Sequence, residues 1–496
     1  MALSSKLTND MVKEFWMATP IPVNGCVFDA AEIIHSTTAV FSGDPHLRLN
    51  GVSIDTRNIQ PGSLFIALRG VRDGHQFIDA AAHGGAAAAI VEQGRRHDAL
   101  PCFEANDTLC ALGALARHHL QRVRSSRSLP VVAVGGAAGK TTTKELAAAL
   151  MRALFGEILS TPGNLNNLIG VPMTLLTLTD GHRAAVLECG TNQRGEIKRL
   201  GDILRPNVAL VLNVDIEHTE GLGSLDGVAD EEAALFSQAN CAIVSVSEGL
   251  LMARVPPWIR TITFGTDTTA DVRLISRRVI APGRQQIRLK LASWMVEKSL
   301  PHDLRTTLNL LGGPIAENAA AAVAAAAAAW GQPFGREQMA ALGRALASVR
   351  SVPGRLSTCE LNGVVIIDDT YNANPRSVRA ALAAARETAD VLHTRLVVAL
   401  GDMLELGELS PMMHAAAVRE VLATGPEQFV AVGREFNAAI TDLSQTGGIG
   451  RQVHIAGDSV EAAAVLRRII RRGDVLLVKG SRAVAMEHVI DSLSAA

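Results

Sequence analysis

The sequence predicts an α/β protein of three domains, in which a small N-terminal α/β unit precedes a central parallel-sheet domain and a Rossmann-like C-terminal domain. Three observations carry this. The 496 residues exceed what one hydrophobic core fills at about 100 to 200 residues per domain. Short apolar runs that read as strands alternate with Ala-rich helical stretches, the pattern of βα units and parallel sheets. Two polar stretches, RVRSSRS (122–128) and SVPGR (351–355), interrupt that alternation where boundaries are expected.

Residues 1–25 match no usable pattern, and their polar start predicts a poorly ordered extension. Residues 26–125 form the first domain, with GSLFIAL (62–68) as a strand and DAAAHGGAAAAIVE (79–92) as an Ala-rich helix. Residues 126–349 form the second. Its strands are LPVVAVGG (129–136), AAVLECG (184–190), NVALVLNV (207–214) and CAIVSV (241–246), which predict a largely parallel sheet covered on both faces. The Ala-rich run at 319–329 is too short to span a bilayer and reads as a buried helix. Residues 350–496 form the third, with strands VVIIDD (364–369), TRLVVALGD (394–402), QFVAVG (428–433) and DVLLVKG (474–480).

Composition excludes several function classes. Hydrophobic residues make up 48%, charged residues 19%, and the formal charge is -2, so no electrostatic footprint for nucleic acid exists. Cys26, Cys102, Cys110, Cys189, Cys241 and Cys359 form no CxxC pair and no zinc-ligand spacing. They read as reduced thiols of a cytoplasmic protein. The start MALSSKLTNDMVKEFW lacks the apolar core of a signal peptide, and no membrane insertion is expected. The near-neutral charge and three-domain plan are compatible with a monomer.

The sharpest motif is VVAVGGAAGKTTTKE (131–145). A strand ends in a glycine loop at a helix N-terminus, where backbone N–H groups can cradle phosphates. Gly136 and Gly139 shape the loop, Lys140 would contact the β/γ-phosphates, Thr141 would hold Mg²⁺ through its hydroxyl, and Thr142 follows. Val134 stands six residues before the lysine, so the match is to the shorter GxxGKTTT form. A chance Gly-rich βα turn is the alternative, disfavoured by the flanking strand and helix.

The GxxGKTTT loop and the segments after it resemble the Mur ligase family from about Gly51 to the C-terminus. The resemblance implies an ATP- and Mg²⁺-dependent ligase forming an amide through an acyl phosphate. Its branch adds D-alanyl-D-alanine to a UDP-N-acetylmuramoyl tripeptide in peptidoglycan precursor synthesis. The implied partners are a UDP-linked peptide or other carboxylate and an amine or dipeptide. Lys140, Glu188, His218 and Arg355 would be the catalytic set, with Glu188 of LECGTNQRGEI and His218 of LNVDIEHTEG as metal ligands. Asn164, Asn166 and Asn167 of TPGNLNNLIG would lie near substrate and phosphates, although an Asn-rich loop also makes a capped turn.

The resemblance extends to both flanking domains. Asn318 would meet the adenine. Arg355 would reach the nucleotide phosphates and Asp369 the ribose, with Tyr371, Asn372 and Asn374 of IDDTYNANP lining the cleft. A strand followed by an Asx turn before Pro375 also explains that local shape. Lys479 and Arg482 of VKGSRA would bind an anionic substrate group, or form a solvated basic loop. Ser53, Asp55 and Arg57 resemble the UDP-binding segment, where the planar fork of Arg57 suits a pyrophosphate.

Three features depart from the family. Glu232 of GVADEEAALF (227–236) stands where most members place a lysine, carbamylated in use, and it is the candidate for that metal position. Pro314 and Ile315 replace a His-Asn pair before Asn318, and Ala137 and Ala138 replace polar loop residues. A ligase recruited to another carboxylate and amine, or a Mur-like binding protein, are the competing readings. Retention of Lys140, Thr141, Glu188, His218 and Arg355 favours an enzyme.

Overall fold

The computed structural model describes residues 19–215, 222–445, 450 and 452–494. Among these, four sheets form. The N-terminal part holds a two-stranded antiparallel ribbon, Val27–Asp29 with Arg48–Asn50, and a four-stranded parallel sheet ordered Val52–Ser53, Leu64–Ile66, Ala88–Glu92, Cys102–Ala105. The stretch expected as one helix over 79–92 divides instead into a helix Ile78–His83 and the strand Ala88–Glu92. Gly85, at φ 97, turns the chain in the left-handed region that favours glycine. The apolar residues beyond it are all but fully buried, as a central strand requires.

The central sheet has nine strands in the order Asp303–Leu308, Arg284–Leu291, Val272–Ala281, Arg260–Gly265, Cys241–Ser245, Val208–Val211, Val131–Gly135, Ala184–Glu188, Ile158–Ser160. Pairing is parallel from Val272–Ala281 to Ile158–Ser160, as the apolar runs predict. Two further strands extend that edge antiparallel. Their sequences alternate apolar with charged residues, and their burial alternates in step, so one face of this edge meets water.

Against the sheet lie two helices, Lys140–Phe155 and Gly313–Trp330. The second contains the Ala-rich run, and every residue from Asn318 to Ala327 is buried. Small side chains let it pack closely on its neighbour, which larger residues would prevent.

The C-terminal sheet runs Ser357–Leu361, Val364–Asp369, Val475–Lys479, Leu396–Gly401, Gln428–Val432, Val453–Ala456, parallel except for its first strand. Apolar contacts join the parts. One core cluster includes Phe28 and Phe103 together with Leu187 and Leu235, and another joins Val279 and Leu311 to the C-terminal helices. The carboxyl ends of Val131–Gly135 and Ala184–Glu188 therefore open at a junction, the usual ligand position in such sheets.

Candidate active site

Strand Val131–Gly135 is fully buried, and the chain leaves it through Gly136–Gly139 into the helix Lys140–Phe155. Gly136 has φ 119 and Gly139 φ 86, backbone that L side chains rarely adopt. A Cβ on Gly139 would come 2.6 Å from Asn318 Nδ2, so the Asn318 amide lies directly against the loop.

The first donors of the loop are already engaged. The Gly136 N–H donates to Glu232 Oε2 at 2.7 Å, the Ala137 N–H to the Asn213 carbonyl at 3.0 Å, and the Ala138 N–H to Asn213 Oδ1 at 2.8 Å. Lys140 Nζ donates to the carbonyls of Gly136 at 2.6 Å and Ala137 at 3.2 Å. The helix start has no side-chain cap. Its first-turn N–H groups, with the positive end of the helix dipole, are what a phosphate oxygen would meet.

Glu188 ends the adjacent strand at 1% exposure. Its Oε1 accepts from Thr141 Oγ1 at 3.2 Å and from Asn166 Nδ2 at 2.9 Å. Its Oε2 is buried and has no partner among the described residues. A buried acceptor left unmade costs about 1–3 kcal/mol, and more when charged. This oxygen beside the Thr141 hydroxyl offers hard oxygen donors at the mouth of a phosphate loop, the chemistry that suits Mg²⁺.

The other expected residues divide between open and engaged positions. Asn164 accepts from Thr19 Oγ1 at 2.8 Å. Asn167 Oδ1 accepts from the N–H groups of Ile169 and Gly170, a capped turn. Thr142 is half-buried in the first helical turn. Arg355 stacks its guanidinium 4.1 Å from the Tyr371 ring centroid. It forms no ion pair among the described residues, which leaves its donors available.

Asp369 accepts from the Leu356 N–H at 3.0 Å and from Lys479 Nζ at 2.6 Å, and Lys479 also donates to the Asn372 carbonyl at 2.8 Å. The Lys479 side chain is 1% exposed, so its ammonium is engaged inside the fold with Asp369. Asn374 caps the helix Pro375–Leu392 reciprocally with Ser377, while Asn372 is exposed. Arg482 pairs at the surface with Glu487 at 2.8 Å.

At the N-terminal sheet, Ser53 Oγ donates to the Asp55 carbonyl at 3.0 Å. Both residues line a small pocket with Asn24, Asn58 and Gln60. The Arg57 fork bonds the Asp55 carboxylate, and that bond is the main reason the Asp55 carboxyl lies below its usual range, against the opposing pull of burial. His218 lies outside the described residues.

Sequence reasoning missed Asn213, which clamps Ala137 and Ala138 from the end of the neighbouring strand. Its Nδ2 also donates to the Ala138 carbonyl at 3.0 Å. The available signal was an Asn closing the apolar run VALVLN directly beside the loop strand.

The UDP-N-acetylmuramoyl-tripeptide--D-alanyl-D-alanine ligase of Escherichia coli (strain K12) is 35% identical to this chain over 451 residues, covering 90% of the chain and 94% of that protein. The chain belongs to the Mur ligase family. The Mur ligase middle domain matches residues 134–326, the Mur ligase glutamate ligase domain 354–482, and the Mur ligase family catalytic domain 48–120. The enzyme of the same name from Treponema pallidum (strain Nichols) is 32% identical, over 89% of the chain and 93% of that protein. A crystal structure of MurF from Acinetobacter baumannii superposes with a TM-score of 0.83 at 28% identity, covering 96% of this chain and 100% of that one. MurF ligase from Thermotoga maritima in complex with ADP gives a TM-score of 0.76 at 26% identity, covering 90% of this chain and 97% of that one. As a Mur ligase, the protein is an ATP-dependent ligase of three-domain α/β architecture.

Proposed function

We propose that this Mur ligase joins D-alanyl-D-alanine to a UDP-N-acetylmuramoyl tripeptide, consuming ATP through an acyl phosphate, and that it works in the cytoplasm. The single observation that carries the reading is the unpartnered Glu188 Oε2 beside Thr141 at the start of the phosphate-loop helix. The names of the relatives, at about one-third identity over nearly the whole chain, supply the substrates.

The triphosphate lies against the first turn of the helix Lys140–Phe155. Lys140 exchanges its hold on the Gly136 and Ala137 carbonyls for the phosphate oxygens, where the hydrogen bonds are charge-assisted on both sides. Asn318, packed on Gly139, would meet the base, as the family resemblance implies. Thr141 and Glu188 would hold Mg²⁺, which neutralises phosphoryl charge when bound. The substrate carboxylate attacks the γ-phosphorus and ADP departs. The incoming amine then attacks the acyl carbon, loses its proton, and inorganic phosphate leaves with formation of the amide. Arg355, its guanidinium over the Tyr371 ring, adds positive charge to the transferring group. Ser53 and Asp55, lining their pocket, and exposed Arg57 serve the UDP-sugar end.

Purified protein with ATP, Mg²⁺, UDP-muramoyl tripeptide and D-alanyl-D-alanine tests this directly. Phosphate release matched by a product of the summed mass less water is expected. Phosphate release only with a different amine or carboxylate would move the protein to a recruited ligase. No release with any pair would leave a binding protein.

A further inference from the structure

The helix Thr108–Ser126 buries one face, with Ala111, Leu115 and Leu120 in the core. Elsewhere on it Cys110, Ala114, Arg117 and Gln121 recur three or four positions apart and therefore align in one stripe. That stripe lines a groove, shared with Arg199 and Ile203 of the helix Glu196–Leu204, with His35 of the helix Ala30–Thr37, and with Leu168. Gly113 lets the first two helices approach, since a Cβ there would stand 2.8 Å from Ile203 Cδ1. Ala114 beside it adds only a methyl group, so space remains between the helices. None of these residues lines the Ser53–Asp55 pocket or belongs to the phosphate loop.

The charges of the groove are unbalanced. Arg117 is half-buried and makes no ion pair or hydrogen bond among the described residues. Arg199, also half-buried, donates among the described residues only to Cys110 Sγ, at 3.4 Å, and a thiol is a weak acceptor. Asp202, the one carboxylate in the lining, accepts from Lys198 Nζ at 3.1 Å. His118 meets Glu32 at 3.4 Å, and Glu32 is held by Arg122 at 2.8 Å. A charge partly withdrawn from water normally has a partner. Two guanidinia without a carboxylate, beside Leu109, Leu168 and Ile203, describe a place for an anion attached to an apolar body.

From this arrangement we infer that the groove binds a small anionic ligand, carrying a phosphate or carboxylate on an apolar body, with Arg117 and Arg199 gripping the anion. A guanidinium suits this task because its planar fork meets two oxygens of either anion at once. Arg199 gives up no more than a thiol contact to do so, and Arg117 gives up nothing. The apolar body lies against Leu109, Leu168 and Ile203, whose exposure to water ends on binding. The site is separate from the nucleotide loop and from the Ser53–Asp55 pocket, and its occupant is not one of the reacting substrates.

Phenyl phosphate, benzoate and phenol are the probes, titrated by calorimetry with ADP and Mg²⁺ present throughout so that the phosphate loop is not the place measured. The tighter of the two anions identifies the charged group, and phenol, which has the body without the charge, should bind at least about tenfold more weakly. Arg117→Gln and Arg199→Gln should each weaken the anion at least about tenfold. Their melting temperatures should stay close to that of the unaltered protein, since neither guanidinium ties down another part of the fold. Bound anion should also slow alkylation of Cys110 in the unaltered protein, read by peptide mass, while Cys359, exposed on the C-terminal sheet, reacts as before. No anion binding, binding no tighter than that of phenol, binding that survives both substitutions, or unchanged alkylation of Cys110 overturns the proposal. Displacement of the probe by UDP-muramoyl tripeptide overturns it as well, by making the groove part of the substrate site.

Discussion

The phosphate loop and the Asp369–Asn374 segment are both polar, both at strand ends and both rich in residues expected to touch substrate, yet they are finished differently. In the C-terminal segment nearly every group is spoken for: Asp369 by Lys479 and Leu356, Asn374 by its helix, the Asn372 carbonyl by Lys479. Around the loop, the helix start is uncapped and Glu188 keeps a buried oxygen without a partner among the described residues. Folding satisfies buried polar groups wherever it can. At the end of strand Ala184–Glu188, the unmade acceptor lies beside the Thr141 hydroxyl and an uncapped helix start, which points to a ligand there, whereas the completed C-terminal pairings hold the cleft in shape.

The contrast predicts that changes at the loop cut turnover while changes in the C-terminal segment cut stability. The largest effect is expected for Lys140→Ala, which should lower the rate of phosphate release by about 10²–10³-fold. Its melting temperature should hold within a few degrees, since Lys140 bonds only to its own loop carbonyls. A comparable loss of stability would erase the distinction.

Lys479→Met should do the reverse. Removing one partner of a buried ion pair leaves Asp369 charged and unpaired, at a cost of about 3–5 kcal/mol. Urea denaturation followed through the C-terminal transition reads this. The double change Lys479→Met with Asp369→Asn should recover a large part of the loss, because no uncompensated charge remains. Normal stability with lost activity in Lys479→Met would instead place that ammonium on the substrate.

The smallest effect is expected for Asn374→Ala, which removes a helix cap worth about 1 kcal/mol. The urea midpoint should fall slightly and kcat should stay within a fewfold of its original value. A tenfold fall in kcat at unchanged stability would show Asn374 touching substrate in the cleft, as the family resemblance implies.

Much of this architecture was legible in the sequence because its signals are local. Buried parallel strands such as VVAVG and VVIID are continuous apolar runs, and the glycine loop follows directly on one of them. The Ala-rich helix was legible for the same reason. The division of residues 78–92 was not, since Ala suits a buried strand as readily as a helix and only the Gly-Gly pair marks the break. The antiparallel edge, in which Arg284–Leu291 lies between Val272–Ala281 and Asp303–Leu308, was also hidden, because charged residues interspersed through it obscure the apolar face.

At the site, the residues that announce themselves are those of the loop and of the IDDTYNANP run. Partnerships across the fold were invisible. Nothing in the chain text says that Lys479 meets Asp369, 110 positions away, that Asn213 clamps Ala137 and Ala138, or that Glu232 takes the Gly136 N–H. These depend on how strands line up, which the parallel register decides and local sequence does not.

The proposed chemistry depends most directly on Glu188 and Thr141 holding a metal against the nucleotide. A crystal grown with a non-hydrolysable ATP analogue and Mn²⁺, with anomalous scattering collected at the manganese edge, tests it. The predicted result is an anomalous peak within coordination distance of Glu188 Oε2, with the analogue's phosphates on the first turn of the helix that Lys140 begins. A nucleotide bound there with its metal held elsewhere, and Glu188 Oε2 still without a partner, would contradict it.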